Sequence, residues 1–395
     1  MVALTLLASG ITLSPLRVKA QDDKQAEFER TWYAACYQEK NEDKCLQLSK
    51  ELLDKYPKST YAKNATSNIK NKSLNDAWQK FQAALDAFYK QPPQDAAKLE
   101  ALFSAGDAYL QVEPDQQSPS HLFAVGQMAL AGQQASLGKK YENLDKVKDY
   151  TERAMKEFEG AQPSEKTKKD FDSYVVPLKD LVIANGNQFL GFRLTETKGD
   201  PEQALTYLTK ATQVKSKDVG WKDPLNYWLR STVYSAQYTE LRKPYDAMTD
   251  EQKVSDAGKE VLKKVNELLD TKLIPEYARV LATATKPEAK TFYDAAKPQF
   301  DAFWKYRTDA PDKADAYVKN YAADPTIPAV PIPAKADTAQ NMAAPTAPAA
   351  GGAAPNLSSS GSAMEAGANG KGSATGAGAT KKPAAATRTT KKRRG

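Results

Sequence analysis

The sequence predicts an all-α fold: a solenoid of about five antiparallel helix hairpins with a C-terminal helical cap, followed by a disordered tail. Three observations lead there. Apolar residues recur at three- and four-residue spacing from Asp22 to about Tyr321. Strand signals are nearly absent, and the nearest Asn-Gly pair, Asn185-Gly186, sits inside a helical pattern rather than between alternating β-branched residues. Helical segments come in pairs, with second helices opening near Asp43, Gln94, Asp145, Pro201 and Ser255, roughly 50 to 56 residues apart. A spaced series of helix pairs, none able to bury its apolar face alone, is the mark of a stacked array.

The chain has 395 residues, enough for two ordinary domains or one elongated one. It opens MVALTLLASGITLSPLRVKAQ. Val2 to Leu13 is an apolar run too short to span a membrane, and VKA before Gln21 places small residues where a signal peptidase cleaves. Residues 1–20 therefore read as a signal peptide, although no Lys or Arg precedes the run. The alternative is a frayed start on a cytosolic protein. No other segment reaches the eighteen apolar residues of a membrane span.

Residues 21–270 carry the helix pairs. In EFERTWYAACYQ, residues Phe28, Trp32, Ala35 and Cys36 share a helical face, and in DKCLQLSKELLDKYP so do Cys45, Leu48, Leu52 and Tyr56. Asn41 and Asp43 punctuate between them, and Pro57 ends the second helix. First helices are expected over 22–39, 73–90, 120–137, 177–197 and 223–242, with prolines at many junctions. Residues 271–323 then suggest three shorter helices, broken near Lys286-Pro287 and Ala310-Pro311. The last unit of a stack exposes an apolar face, and these helices, with Phe292, Tyr293, Phe300, Phe303 and Trp304, are expected to cover it. A partner site is the other use for that aromatic cluster.

Two blocks sharpen the assignment. GDPEQALTYLTKA (199–211) has Gly199 at the turn, Pro201 in the first helical turn, and Ala204, Leu208 and Ala211 at small-large-small positions, with Gly191 near the small residue of the preceding helix. In DKCLQLSKELLDKYPKSTYA, Cys45 stands at the small position and Pro57 closes the unit, while Tyr33 departs from the small first-helix residue. These blocks resemble the tetratricopeptide repeat, here with lengthened helices. The resemblance implies a non-enzymatic scaffold or adaptor whose first helices line a groove for a protein or peptide partner. The first helix with an unusual surface is DPLNYWLRSTVYSAQYTELRK, where Tyr227, Arg230, Tyr234 and Tyr238 fall near one face. That ridge is the candidate partner-binding groove, with Asn187 and Arg193 as further members; the same tyrosines could equally pack against a neighbouring helix.

Composition limits the chemistry. The full chain is an ordinary mixture, 41% hydrophobic and 27% charged, with net charge +7. From Asp324 onward nine basic residues face three acidic ones, so +6 of that +7 lies in the tail and the body is close to neutral. Residues 324–395 are rich in Pro, Ala, Gly and Ser and are expected to be a disordered linker. They end in Lys381, Lys382, Arg388, Lys391, Lys392, Arg393 and Arg394, a polyanion-binding set that suits an anionic polymer or surface, or DNA if the chain is cytosolic. With one histidine, His121, at a helix start where capping or surface exposure is expected, no catalytic triad or soft-ligand metal site can be assembled. GQQASLGKK matches a phosphate loop in neither spacing nor context. No cofactor is expected. Cys36 and Cys45 form a disulfide if the chain is exported, and are two buried thiols otherwise.

The sequence thus reads as an exported, periplasmic or secreted bacterial scaffold with no membrane span in the mature chain. The alternative is a cytoplasmic nucleoid-associated protein that binds DNA through its basic tail.

Overall fold

Side-chain caps mark the start of seven of the fifteen described α-helices. The computed structural model describes residues 15–91, 94–216 and 219–335, with side chains from residue 23 onward. All its regular elements are helices; among the described residues there is no strand, only the isolated bridges Lys215–Gly220 and Thr308–Ala334. The first helix, α1 (Pro15–Tyr33), continues through a π-helical turn, Ala34–Gln38, and α2 (Glu42–Lys55) follows at once. Then come α3 (Ala62–Lys90), α4 (Ala96–Val112), α5 (Pro119–Leu137) and α6 (Leu144–Gly160). A short α7 (Lys168–Tyr174) precedes α8 (Val176–Glu196), α9 (Pro201–Gln213) and α10 (Pro224–Asp246).

The second helix of each pair opens on a polar cap. Asn41, Asp95, Asn143 and Asp200 each accept a backbone N–H from the first turn of α2, α4, α6 and α9. The turns before α2, α6 and α9 share one further device. Lys40, Lys139 and Lys198 sit at φ near +50°, the left-handed position that closes a helix C-terminus. Packing follows chain order: α1 lies on α2, α3 on α4, α5 on α6 and α8 on α9, while α2, α4, α6 and α9 contact α3, α5, α8 and α10 in turn. At the α8–α9 crossing Gly191 lets the helices close, since a Cβ there would lie 2.5 Å from Leu208 Cγ and 3.2 Å from the Ala204 carbonyl. These are the small and large positions of the repeat-like block.

Three features differ from the sequence reading. The third helix starts at Ala62, not near residue 73: NATSNIKNKS has little apolar periodicity, but Ala65 packs with Trp32 and Leu52 in a small N-terminal core. Helix α7 and its flanking loops are an addition that lies on α5 and α8, with Tyr174 edge-on to Phe123. Third, order does not end at residue 323. Residues 324–335 lie across the C-terminal helices, with Ile327, Val330 and Ile332 packed on the main core.

Beyond α10, α11 (Asp250–Val254) opens on the capping box of Thr249 and Gln252, and α12 (Asp256–Leu268) packs back on α10. A π-helical turn, Leu269–Leu273, runs into α13 (Ile274–Thr283), followed by α14 (Lys290–Arg307) and α15 (Ala314–Lys319). The breaks fall at single 3-10 turns, Pro287–Ala289 and Pro311–Lys313, where a proline cannot extend the preceding helix. Phe292, Phe300, Phe303 and Trp304 are buried in the main core, whereas Tyr293 is exposed.

Candidate functional site

The ridge expected to line an open groove is covered. Tyr227, Tyr234 and Tyr238 on α10 are 0%, 9% and 1% exposed. Helix α13 lies against α10, and α14 reaches the same helix farther along. Tyr238 meets Phe303 edge-on at 5.5 Å, Ser235 Oγ is 3.2 Å from the Tyr277 hydroxyl, and the Tyr227 hydroxyl donates to the Trp221 carbonyl at 2.6 Å. Burial raises the pKa of all three ridge tyrosines. The physical reason is plain: a tyrosine offers more area to a neighbouring helix than to water, and α13 supplies that helix. Asn187 is buried on α8, its amide donating to the Ile183 carbonyl four residues back. Arg193 turns to α6, where it pairs with Asp145. The polar partners of these two lie on α8 and α6, not on α10.

What the ridge does join is a charged cluster that periodicity alone conceals. Arg230 Nη2 lies 2.8 Å from Glu276 Oε1, and the same oxygen is 2.7 Å from Arg279 Nη1. Glu276 is 1% exposed, so one carboxylate bridges two guanidinium groups inside the helix packing. Arg279 then extends outward. Its Nε donates to the Pro325 carbonyl and its Nη2 to the Ile327 carbonyl, each at 2.8 Å, and its guanidinium carbon stands 4.9 Å from the centre of the Tyr321 ring. The available signal was IPEYARVL, where an acid and a base three residues apart sit in an otherwise apolar helix. Such a pair faces either solvent or a buried partner charge, and Arg230 is that partner.

His121 is likewise internal rather than capping or superficial. It is 1% exposed, with Nδ1 2.7 Å from the Glu113 carbonyl and Nε2 3.1 Å from Glu157 Oε2; Arg153 Nε donates to Glu157 Oε1 at 2.9 Å. Both ring nitrogens face acceptors, so only the imidazolium satisfies both. Burial pulls the His121 pKa down, but the bonds to Glu157 and the Glu113 carbonyl outweigh it and the net shift is upward. Burial raises Glu157, and His121 with Arg153 outweighs that to leave it low. The raised His121 stabilises the fold fully below its unfolded pKa near 6.5 and less as pH rises through its folded value. The lowered Glu157 stabilises above its unfolded pKa near 4.5 and less as pH falls through its folded value. The pair is therefore worth most between these limits. The stability gap between the wild-type chain and His121→Gln is expected to narrow from pH 6 to pH 9. Urea unfolding at stepped pH measures it, and a gap that widens would reverse the assignment.

At the N-terminal end a disulfide joins Cys36 and Cys45 across the turn between α1 and α2, and Asn68 Nδ2 donates toward both sulfurs at 3.7 and 3.4 Å. Beside it Tyr33 and Tyr37 meet at a tilt of 35° with ring centres 5.1 Å apart, and both are exposed. The expected tail set, Lys381, Lys382, Arg388, Lys391, Lys392, Arg393 and Arg394, and the first fourteen residues lie outside the described residues. Among the described residues no group of three or more His, Cys, Asp or Glu side chains could hold a metal ion. No helix there is long and apolar enough to cross a membrane. Comparison with protein-family models, with curated proteins and with solved structures finds no match.

Proposed function

We propose that this chain is a non-enzymatic, tetratricopeptide-like scaffold of a bacterial envelope that docks a protein partner, its basic tail associating with an anionic polymer or surface. The observation that supports the reading is that α2, α4, α6, α9 and α12 each open on a polar side-chain cap and pack on α1, α3, α5, α8 and α10 respectively, with Gly191 seated against Leu208 at the repeat-like crossing. Stacked pairs of this kind make an elongated body with large surface per residue, suited to holding partners rather than enclosing a reaction. Export is supported by the apolar run 2–13 and by the Cys36–Cys45 bond, which persists in oxidising compartments. The partner surface is not the α10 ridge, which α13 covers.

Cell fractionation with affinity capture from envelope extract tests the reading. The full chain is expected in the envelope fraction with one protein partner retained after the tail is removed. Intact protein in the cytosol, bound to DNA, would establish the nucleoid alternative instead. Deleting residues 381–395 is expected to abolish salt-sensitive polyanion binding and leave the melting temperature unchanged, because seven charges leave with it. A drop of several degrees would mean that the tail packs on the body.

A further inference from the structure

Resting on the proposal of a partner-docking scaffold, we infer that the surface of α13–α15 is a recognition cleft for an extended, proline-punctuated aliphatic peptide of a partner protein, held in this structure by the chain's own residues 324–335.

Segment 324–335, DPTIPAVPIPAK, has prolines at 325, 328, 331 and 333, so a third of its residues present a carbonyl oxygen without an N–H of their own. A seat for it must bring donors, and bring them on side chains. This one does. The Arg279 fork takes the Pro325 and Ile327 carbonyls at 2.8 Å each, and the Tyr317 hydroxyl donates to the Val330 carbonyl at 2.9 Å. Of the eight N–H groups the segment has, that of Val330 donates to the Tyr321 hydroxyl at 2.9 Å, and that of Lys335 donates to the Arg307 carbonyl at 2.8 Å. The ends are pinned by charge, Asp324 to Lys215 at 3.0 Å and Lys335 to Asp309 at 2.9 Å.

Side chains of the segment divide by face. Pro325 is buried and Ile327, Val330 and Ile332 pack on the core, while Pro328, Pro331 and Pro333 are exposed. The main-chain contacts carry no sequence information beyond spacing, and the apolar contacts ask only for branched aliphatics at those intervals. Aromatic rings wall the cleft: Tyr317 lies 5.7 Å from Tyr321 and 4.9 Å from Trp304. Donor-bearing aromatic side chains reading the carbonyls of a preformed extended segment is a general way to bind proline-rich peptides. The donors are also set beforehand, because Glu276 fixes the Arg279 guanidinium from below at 2.7 Å. The chain's own segment is thus a tethered competitor, at an effective concentration on the order of millimolar.

The test uses full-length protein and a fluorescent peptide of sequence DPTIPAVPIPAK. Ile327→Asp with Val330→Asp weakens the tethered segment and leaves every seat residue in place. The peptide is expected to bind this variant at least about ten-fold more tightly than the wild type, as removal of a tethered competitor requires. Adding Arg279→Lys to the variant is expected to remove that binding. No saturable binding by the folded variant would overturn the cleft, and so would binding unaffected by Arg279→Lys. If the variant does not fold, hydrogen exchange on the wild type decides. Amides of 326–335 are expected to exchange faster than those of α13, and exchange only with global unfolding would make the segment permanent core. A concentration-dependent dimer with exchanged segments would assign the cleft to a second copy and overturn the partner. Capture of a protein elsewhere on the scaffold is independent of all these outcomes.

Discussion

Glu276→Gln is expected to lower the unfolding free energy by about 3 to 5 kcal/mol, read as a fall in the urea midpoint. The carboxylate lies between Arg230 and Arg279 with only 1% of its side chain exposed, so the neutral variant leaves two guanidinium groups facing each other out of water. Breaking a buried pair from one side costs far more than the pair contributes, because the remaining charge keeps its desolvation penalty. Asp246→Asn provides the internal contrast. Its partner Arg242 is on the same helix four residues away, and the Asp246 side chain is 52% exposed, so about 1 kcal/mol or less is expected. Equal losses in the two variants would mean that solvent reaches Glu276 and that α13 does not seal α10. A second readout follows from the geometry: without its anchor Arg279 holds the Pro325 and Ile327 carbonyls less firmly, so segment 324–335 should lose amide protection before any helix does.

Trp304→Ala is expected to cost about 3 to 5 kcal/mol, the usual range for emptying a buried large aromatic site. Trp304 is 2% exposed, its ring 5.7 Å from Phe300 and 4.9 Å from Tyr317, and its Nε1 donates to the Ala310 carbonyl at 2.9 Å. Removal therefore empties a site that α14, α15 and the turn between them share. The result separates the two uses of the aromatic cluster. A core residue shows its loss in melting temperature, whereas a partner-contact residue would leave stability within about 0.5 kcal/mol and affect capture alone. Tyr293→Ala, on the same helix but exposed, should sit in that second class.

The helical class and much of the punctuation were legible because their causes are local. An asparagine or aspartate that caps a first turn, as at Asn41, Asp95, Asn143 and Asp200, does so within three residues. The proline turns at Pro287 and Pro311 act within one. Local rules failed where a distant contact supplied the energy. Residues 62–72 look too polar for a helix, and the helix there is carried by Ala65 against Trp32 and Leu52, well back in the chain. Residues 324–335 look too rich in proline to be ordered, and four of their carbonyls and N–H groups are satisfied by Arg279, Tyr317 and Tyr321.

The candidate site was the least legible part, for the same reason. Tyr227, Arg230, Tyr234 and Tyr238 all lie on α10, and a period of 3.6 puts them near one face of it. Whether the face meets water or another helix depends on where the chain returns, and α13 returns across it. By itself, then, the sequence determined that this protein is built of helices, where many of them start and stop, and which residues share a stripe. Tertiary structure alone decided which stripes are covered and how the buried charges pair. It also decided that a proline-rich stretch lies down instead of hanging free. Helix periodicity and capping are short-range properties of the backbone, whereas burial is a property of pairs of surfaces far apart along the chain.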